Sequence, residues 1–260
     1  MNIIVLVKSV PDPAAKVPVK DNHIVEDGLA WEANPYDENA VEEAIRLKEK
    51  LGGKVTLVTL GPKRAEETLK KMLALGADEG ILLSDPAFEG SDELATARIL
   101  AKAIEKVGEY DVILAGWTGV DWNQGIVPQA VAELLALPHV SFVTKVDVDA
   151  QVAVCTTEVD GGREIIQVDL PAVLTAMQTL NEVRYASLKN IMAVKRKVIP
   201  VWGAGELGIN PAEVGAGAAH ARLLTLVPPP ERAEGRIIPG EPAEAVKELV
   251  RALQQEAKVI

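Results

Sequence analysis

Asp111-Val112-Ile113-Leu114-Ala115-Gly116 leads through Trp117-Thr118-Gly119-Val120-Asp121-Trp122-Asn123-Gln124-Gly125 into a helical pattern over residues 125–137. A short, continuous apolar run bounded by turn residues reads as a strand buried on both faces. A helix that follows it at once makes a βα unit. The same unit recurs on the N-terminal side. Residues 3–7 form a β-branched run, followed by a Pro-rich excursion over residues 11–33 that Asn34-Pro35-Tyr36-Asp37 brings to a stop. Residues 38–51 then carry Ala40, Val41, Ala44, Ile45 and Leu47 on one side, with acids early and Lys48 and Lys50 late, as a helix dipole favours. Gly52-Gly53 ends that helix. Residues 55–60 read as a strand, 63–75 as a helix, 81–83 as a strand after Gly76-Ala77-Asp78-Glu79-Gly80, and 92–107 as a helix. Alternation of this kind predicts an α/β fold, with a doubly wound, mostly parallel sheet covered by helices on both faces.

On the C-terminal side the period changes. Val146, Val148, Val152 and Val154 alternate with polar residues, as do Ile165 and Val168 beyond Gly161-Gly162. This predicts antiparallel hairpin additions, one of them turned at Asp160-Gly161-Gly162. From residue 200 the chain is rich in glycine and proline, including Pro228-Pro229-Pro230, and reads as an extended arm rather than a core unit. Within the arm only residues 242–257 suit a helix, with Ala245, Val246, Leu249 and Leu253 as its apolar stripe. Such a stripe loses about 25 cal/mol per Å² of apolar surface if left in water, so docking is the expectation. The division is therefore residues 1–199 as the α/β domain and 200–260 as an arm that packs on something else.

The 260 residues are close to half apolar, ample for a continuous core, and no run is long enough to cross a bilayer. The start is apolar but lacks a basic n-region and a cleavage site, so it reads as a first strand rather than a leader. The single Cys155 excludes an internal disulfide framework, suits a reducing cytoplasm and reads as strand packing. A net charge of −11 argues against nonspecific nucleic-acid binding. Aromatic residues are scarce, so an exposed tryptophan would stand out.

In a doubly wound sheet ligands sit at the carboxyl ends of the strands, and a helix N-terminus there offers free N–H groups to a phosphate. The loop ending at Gly125 fits that description. Its glycines equally suit plain turns, and the two readings balance. There is no Walker pattern and no GxGxxG. Asn34-Pro35-Tyr36-Asp37 reads first as a helix start, with Asn34 as cap or turn and Pro35 in the first turn. Glu158 beside the glycine hairpin reads as a solvated carboxylate or as half of an interface ion pair. Leu188, Ile191 and Met192 are spaced to face the core, and Leu188 could alternatively serve as an exposed anchor. His23, His139 and His220 have no nucleophile or carboxylate at motif spacing, and there is no metal-ligand cluster. With no catalytic set, a carrier or binding subunit is a better reading than a hydrolase.

Three motifs occur in order: Glu158-Val159-Asp160-Gly161-Gly162, Leu170-Pro171-Ala172-Val173 and Leu180-Asn181-Glu182-Val183-Arg184-Tyr185. With Val7-Lys8-Ser9-Val10-Pro11-Asp12, the segment from Asn34 to Ala44, Gly61-Pro62, Gly76-Ala77-Asp78 and the stretch from Asp121 to Pro138, they extend over essentially the whole chain. In this the sequence resembles the beta subunit of electron-transfer flavoproteins. The resemblance implies a Rossmann-like, adenine nucleotide alpha hydrolase-like sheet and an electron-transfer carrier subunit rather than an enzyme. It implies a heterodimer whose redox FAD is held mainly by an alpha subunit, with a structural AMP in beta. Electrons would come from acyl-CoA or other flavin dehydrogenases and pass to a quinone-linked acceptor. The setting would be cytoplasmic, with no membrane insertion and no nucleic acid.

Carried over residue by residue, the AMP site would comprise Leu6, Asn34, Pro35, Tyr36, Asp37 and Leu60. Asp121, Trp122, Asn123, Gln124, Gly125, Ile126, Val127, Pro128, Gln129, Ala130, Val131 and Ala132 would complete it. The phosphate would lie over the amides near Gln124 to Gln129, and the adenine nearer Leu6 and Leu60. Tyr36 and Glu158 would lie on the flavin side, Glu158 meeting an arginine of alpha. Leu188 would dock partner dehydrogenases, and the arm would pack on alpha. The chain departs from the family pattern at Trp122 and Pro128, which replace glycines, at Thr157, where arginine is common, and at Val183, where proline is expected. Two rival readings are a subunit that binds a second FAD and bifurcates electrons, and a stand-alone adenine-nucleotide-binding regulator.

Overall fold

A computed structural model describes residues 1–149, 151–228 and 235–260. Of the triplet at Pro228, Pro229 and Pro230 lie outside the described residues. The chain forms two units, Met1–Thr225 and Leu226–Ile260.

The first unit is built on a nine-stranded sheet. Its elements in chain order are β1 (Asn2–Leu6), β2 (Ser9–Pro11), β3 (Val19–Lys20), β4 (His23–Ile24), β5 (Trp31–Ala33), α1 (Pro35–Leu51), β6 (Lys54–Leu60), α2 (Ala65–Leu73), β7 (Glu79–Leu83), α3 (Glu93–Val107), β8 (Val112–Gly116) and α4 (Val127–Leu134). There follow β9 (His139–Asp149), β10 (Val152–Val159), β11 (Gly162–Asp169), β12 (Ala172–Ala176), α5 (Leu188–Lys195), β13 (Val201–Trp202) and α6 (Ala204–Leu207). The strand order is β11-β10-β9-β12-β8-β1-β6-β7-β13. β1 pairs in parallel with β6 on one side and β8 on the other. The chain adds β6 and β7 on one flank and then crosses β1 to add β8, so the order reverses beside β1. Strands β2 and β5, and β3 and β4, form two small ladders inside the Pro-rich excursion.

Alternation along β1 shows why both faces need cover. Ile3 and Val5 join one apolar cluster with α1 and α2, whereas Ile4 and Leu6 join the other with α3 and α4. A central parallel strand must be apolar throughout for this to work. Cys155 is fully buried in β10, and burial pushes its thiol up to about 11.

The hairpins form as expected, with Asp160-Gly161 turning β10 into β11 at the pair Val159↔Gly162. The faces of β10 differ from the valine pattern. Ala153 and Cys155 point inward, Val154 is exposed, and Ile165 on β11 is also exposed. Register decides this. Cys155 lies opposite Val146 and Ala153 opposite Val148, and directly opposed residues share a face. With Val146 and Val148 buried, the smaller side chains of β10 must face the core.

Residues beyond 200 also differ from the arm reading. Val201 and Trp202 extend the sheet edge beside β7, and Ala204, Leu207, Ile209 and Val214 are buried against α3 and its neighbours. Single apolar side chains between glycines suffice for an edge that needs only partial cover. The second unit begins at Leu226 rather than at residue 200. It carries α7 (Pro242–Arg251), on which Val246, Leu249 and Val250 are exposed. Arg236 pairs with Glu248 at 3.1 Å. No helix among the described residues is long and apolar enough to cross a membrane.

Candidate functional site

Where strand order reverses, the connections from β1 and β8 leave in opposite directions and a crevice opens at their carboxyl ends. A cavity of about 710 Å³ occupies that place. Leu6, Val58 and Leu60 form its apolar floor; Gly116, Thr118, Gly119 and residues 124–128 form one wall; residues 90–93 and Thr96 of the α3 start form another.

The segment Asn34 to Asp37 holds this end of the sheet together. The Asp37 carboxylate accepts the Lys8 N–H at 2.7 Å and the Gly116 N–H at 2.8 Å, tying the ends of β1 and β8 to the first turn of α1. Burial pushes this carboxyl up to about 6, although both backbone donors and the charge of Lys8 favour its ionised form. A side chain at position 116 would collide with it, because a Cβ there would lie 2.4 Å from Asp37 Oδ1. Of the two readings for Asn34, cap or turn, it sits at the N-cap position and its carbonyl closes the first turn, accepting from the Asp37 N–H at 2.9 Å, but its side chain makes no capping hydrogen bond. Its Nδ2 donates to the Thr118 carbonyl at 2.8 Å and its Oδ1 accepts from the Val120 N–H at 3.2 Å, so it braces the loop after β8. Pro35 takes the first turn of α1, where its missing N–H costs nothing.

That loop turns at Gly125, with φ of +62°, a conformation glycine reaches freely. Lys8 Nζ meets Asp121 at 2.7 Å across the loop. The helix then starts at Val127, two residues later than its pattern predicts, with Pro128 in its first turn. The Thr118 side chain is only 4% exposed, and its hydroxyl has no hydrogen-bond partner. Trp117 Nε1 and Gln129 Oε1 are likewise buried and unpaired. Buried polar atoms without partners are uncommon in folded proteins.

With this geometry in view, sequence comparison is decisive. The chain matches the electron transfer flavoprotein domain family over residues 21–207. It is 39% identical over 255 residues to the electron transfer flavoprotein subunit beta of Thermoanaerobacterium thermosaccharolyticum, covering 97% of this chain and 98% of that one. It is 38% identical to the corresponding subunit of Bacillus subtilis over 263 residues and the full length of both chains. Subunit CarD of the caffeyl-CoA reductase-Etf complex of Acetobacterium woodii is 36% identical over 242 residues, 92% of each chain.

The chain belongs to the electron transfer flavoprotein subunit beta family.

In this beta subunit the expected site residues divide into two groups. Leu6, Asn34, Asp37, Leu60, Trp122, Gln124, Gly125, Ile126, Val127 and Pro128 line the cavity. The exposed tryptophan worth noticing is thus Trp122, at the mouth. Pro35, Tyr36, Asp121, Asn123, Gln129, Ala130, Val131 and Ala132 do not line it. Tyr36 meets the Trp117 ring edge-on at 5.6 Å, and Asp121 is spent on Lys8. The Asn123 N–H donates to the Gly119 carbonyl at 2.8 Å, and Gln129 donates to Ser141 Oγ at 3.1 Å. Ala130 packs against the core, and Val131 and Ala132 are fully buried in it, because the helical period turns them to the sheet. Glu158 lies in the β10–β11 hairpin and faces its own cross-strand neighbour Arg163 at 3.7 Å.

Sequence reasoning missed Ser91, Asp92, Glu93, Thr96 and Arg222 in the cavity wall. The first four had a signal: Ser91-Asp92-Glu93 is a helix start after the third strand of the same sheet edge. Asp92 does cap α3, accepting from the Ala95 N–H at 2.9 Å. Arg222, beyond the last sheet strand, had none.

Leu188 also departs from its core-facing reading. It opens α5 and is 77% exposed, and Ile191 and Met192 are exposed with it. Ala186 and Val194 supply the buried contacts instead. The preceding segment is clasped to α1. Arg184 donates to Glu42 and to Glu49, Asn181 exchanges hydrogen bonds with Asn39 and donates to Glu43, and Arg46 reaches the Glu182 carbonyl at 2.8 Å. The chain then emerges at Tyr185, which is 99% exposed.

Proposed function

We propose that this chain pairs with an electron transfer flavoprotein alpha subunit, holds AMP in the cavity at the strand-order reversal, and completes an FAD site held mainly by alpha. Through Leu188 it docks flavin dehydrogenases, acyl-CoA dehydrogenases among them, and the pair passes electrons to a quinone-linked acceptor in the cytoplasm. The observation that carries this reading is that cavity, whose lining includes Leu6, Asn34, Asp37, Leu60, Trp122 and residues 124–128 of the expected adenylate site, in a chain of this family.

The residues present suit AMP. Leu6, Val58 and Leu60 offer an apolar seat for adenine. The first turn of α4 offers unbonded N–H groups and the positive end of its dipole to a phosphate. Bound FAD would supply the redox chemistry. The work of this chain is to bind, orient and exclude water. Tyr36 and Trp117 brace the loop on the side assigned to the flavin, and Glu158 supplies a carboxylate to the subunit interface. The exposed stripe of α7 gives the arm its surface for alpha. The Acetobacterium woodii relative belongs to a caffeyl-CoA reductase complex, which supports a flavin enzyme acting on CoA esters as the exchanging partner.

A second FAD in place of AMP is the alternative. The extension of the cavity wall to Ser91 and Thr96 favours a ligand longer than AMP. Coproduction with an alpha subunit tests the main reading. A yellow one-to-one complex is expected; a colourless chain that never associates would overturn it.

A further inference from the structure

We propose that Arg222 is the cation that binds the phosphate of the nucleotide in this cavity, an inference that rests on the adenylate reading above. The ionisable residues in the lining are Lys8, Asp37, Asp92, Glu93 and Arg222. Lys8 is neutralised by Asp121 at 2.7 Å. Asp37 and Asp92 spend their oxygens on backbone N–H groups. That leaves Arg222 as the one cation of the wall with no ion-pair or hydrogen-bond partner among the described residues, and Glu93 as the unpaired acid.

The position of Arg222 is set by backbone on both sides. Before it, Asp92 Oδ2 accepts the N–H groups of His220 at 2.5 Å and Ala221 at 3.0 Å. After it, Asn22 Nδ2 donates to the Leu224 carbonyl at 3.3 Å. One acidic side chain thus caps α3 and also fixes the strap that carries Arg222 to the cavity. A phosphate here would otherwise meet only neutral donors and the Lys8–Asp121 pair. A guanidinium supplies the planar, charged donor set that phosphate oxygens accept.

The test is calorimetric titration of AMP and of adenosine into the nucleotide-free heterodimer, for the natural chain, Arg222→Gln and Arg222→Lys. Loss of one charge-assisted contact at an exposed site predicts about tenfold weaker AMP binding by Arg222→Gln. Adenosine binding should stay within about twofold, since it lacks the phosphate, and Arg222→Lys should keep most of the affinity. Unchanged AMP binding by Arg222→Gln would overturn the assignment. So would an equal loss for adenosine, which would mean that Arg222 only holds the strap. If the natural complex binds neither ligand, the adenylate reading itself falls.

Discussion

Replacing Arg184 by methionine removes the guanidinium that joins the segment before Tyr185 to α1. Glu42 is the residue at risk, because its side chain is only 2% exposed. Burial pushes its carboxyl up, but hydrogen bonds from Arg184 and Arg46 outweigh that and hold it below the ordinary value. Stranding one partner of a buried ion pair costs about 3–5 kcal/mol. Arg46 Nε remains 2.6 Å from Glu42, which keeps the loss at the lower end. The Glu49 contact adds about 0–1 kcal/mol, since that carboxylate is mostly in solvent. The sum is about 3 kcal/mol. In a unit of this size each kcal/mol moves the unfolding temperature by roughly 2–4 °C, so Arg184→Met should unfold about 6–12 °C lower. Differential scanning calorimetry reads this directly. The double variant Glu42→Leu with Arg184→Met should lose less than Arg184→Met alone, because no charge is left stranded. A fall under about 2 °C in the single variant, or a double variant that is worse still, would refute the reasoning.

Three further outcomes are expected. Gly116→Ala forces a methyl against Asp37 and should lower stability by about 2–4 kcal/mol in urea unfolding; an unchanged midpoint would show that α1 can move away. Asp37 titrates at about 6 when folded and at the ordinary 3.8 when unfolded. The folded chain therefore binds more protons at this group between these values, so the Asp37 contribution, fully present below pH 3.8, should fall by about 2 kcal/mol between pH 4 and 6 and be lost above. Urea midpoints across that range should show the slope in the natural chain and not in Asp37→Asn; matching slopes would dismiss the role of Asp37. If Leu188 is the docking anchor proposed above, worth about 1–3 kcal/mol, Leu188→Ala should raise KM for a donor dehydrogenase roughly 5- to 100-fold with flavin content intact. Unaltered donor kinetics would remove Leu188 from the docking surface.

Periodicity carried the parallel half of the sheet. Runs such as residues 112–116 are apolar at every position because both faces are covered, and no other element of that length has this property. The faces of β10 were not legible locally, since Val152 and Val154 compete with Ala153 and Cys155 and only pairing with β9 decides between them. The stretch after residue 200 misled for a related reason. An edge strand of two residues and a four-residue helix leave no periodic trace, yet they bury Ala204 and Leu207. At the site, strand ends and glycines located the crevice, while chain proximity alone brought in Arg222. Asn34 looked like a cap by residue type, and its side chain instead spans to a loop 84 positions away, a long-range contact that no local pattern encodes.

The most direct test of the account is the nucleotide and flavin content of the purified heterodimer, released by denaturation and separated by chromatography. One AMP and one FAD per pair of subunits is the predicted result. Two FAD with no AMP, or a complex without any adenylate beyond its single flavin, would contradict it.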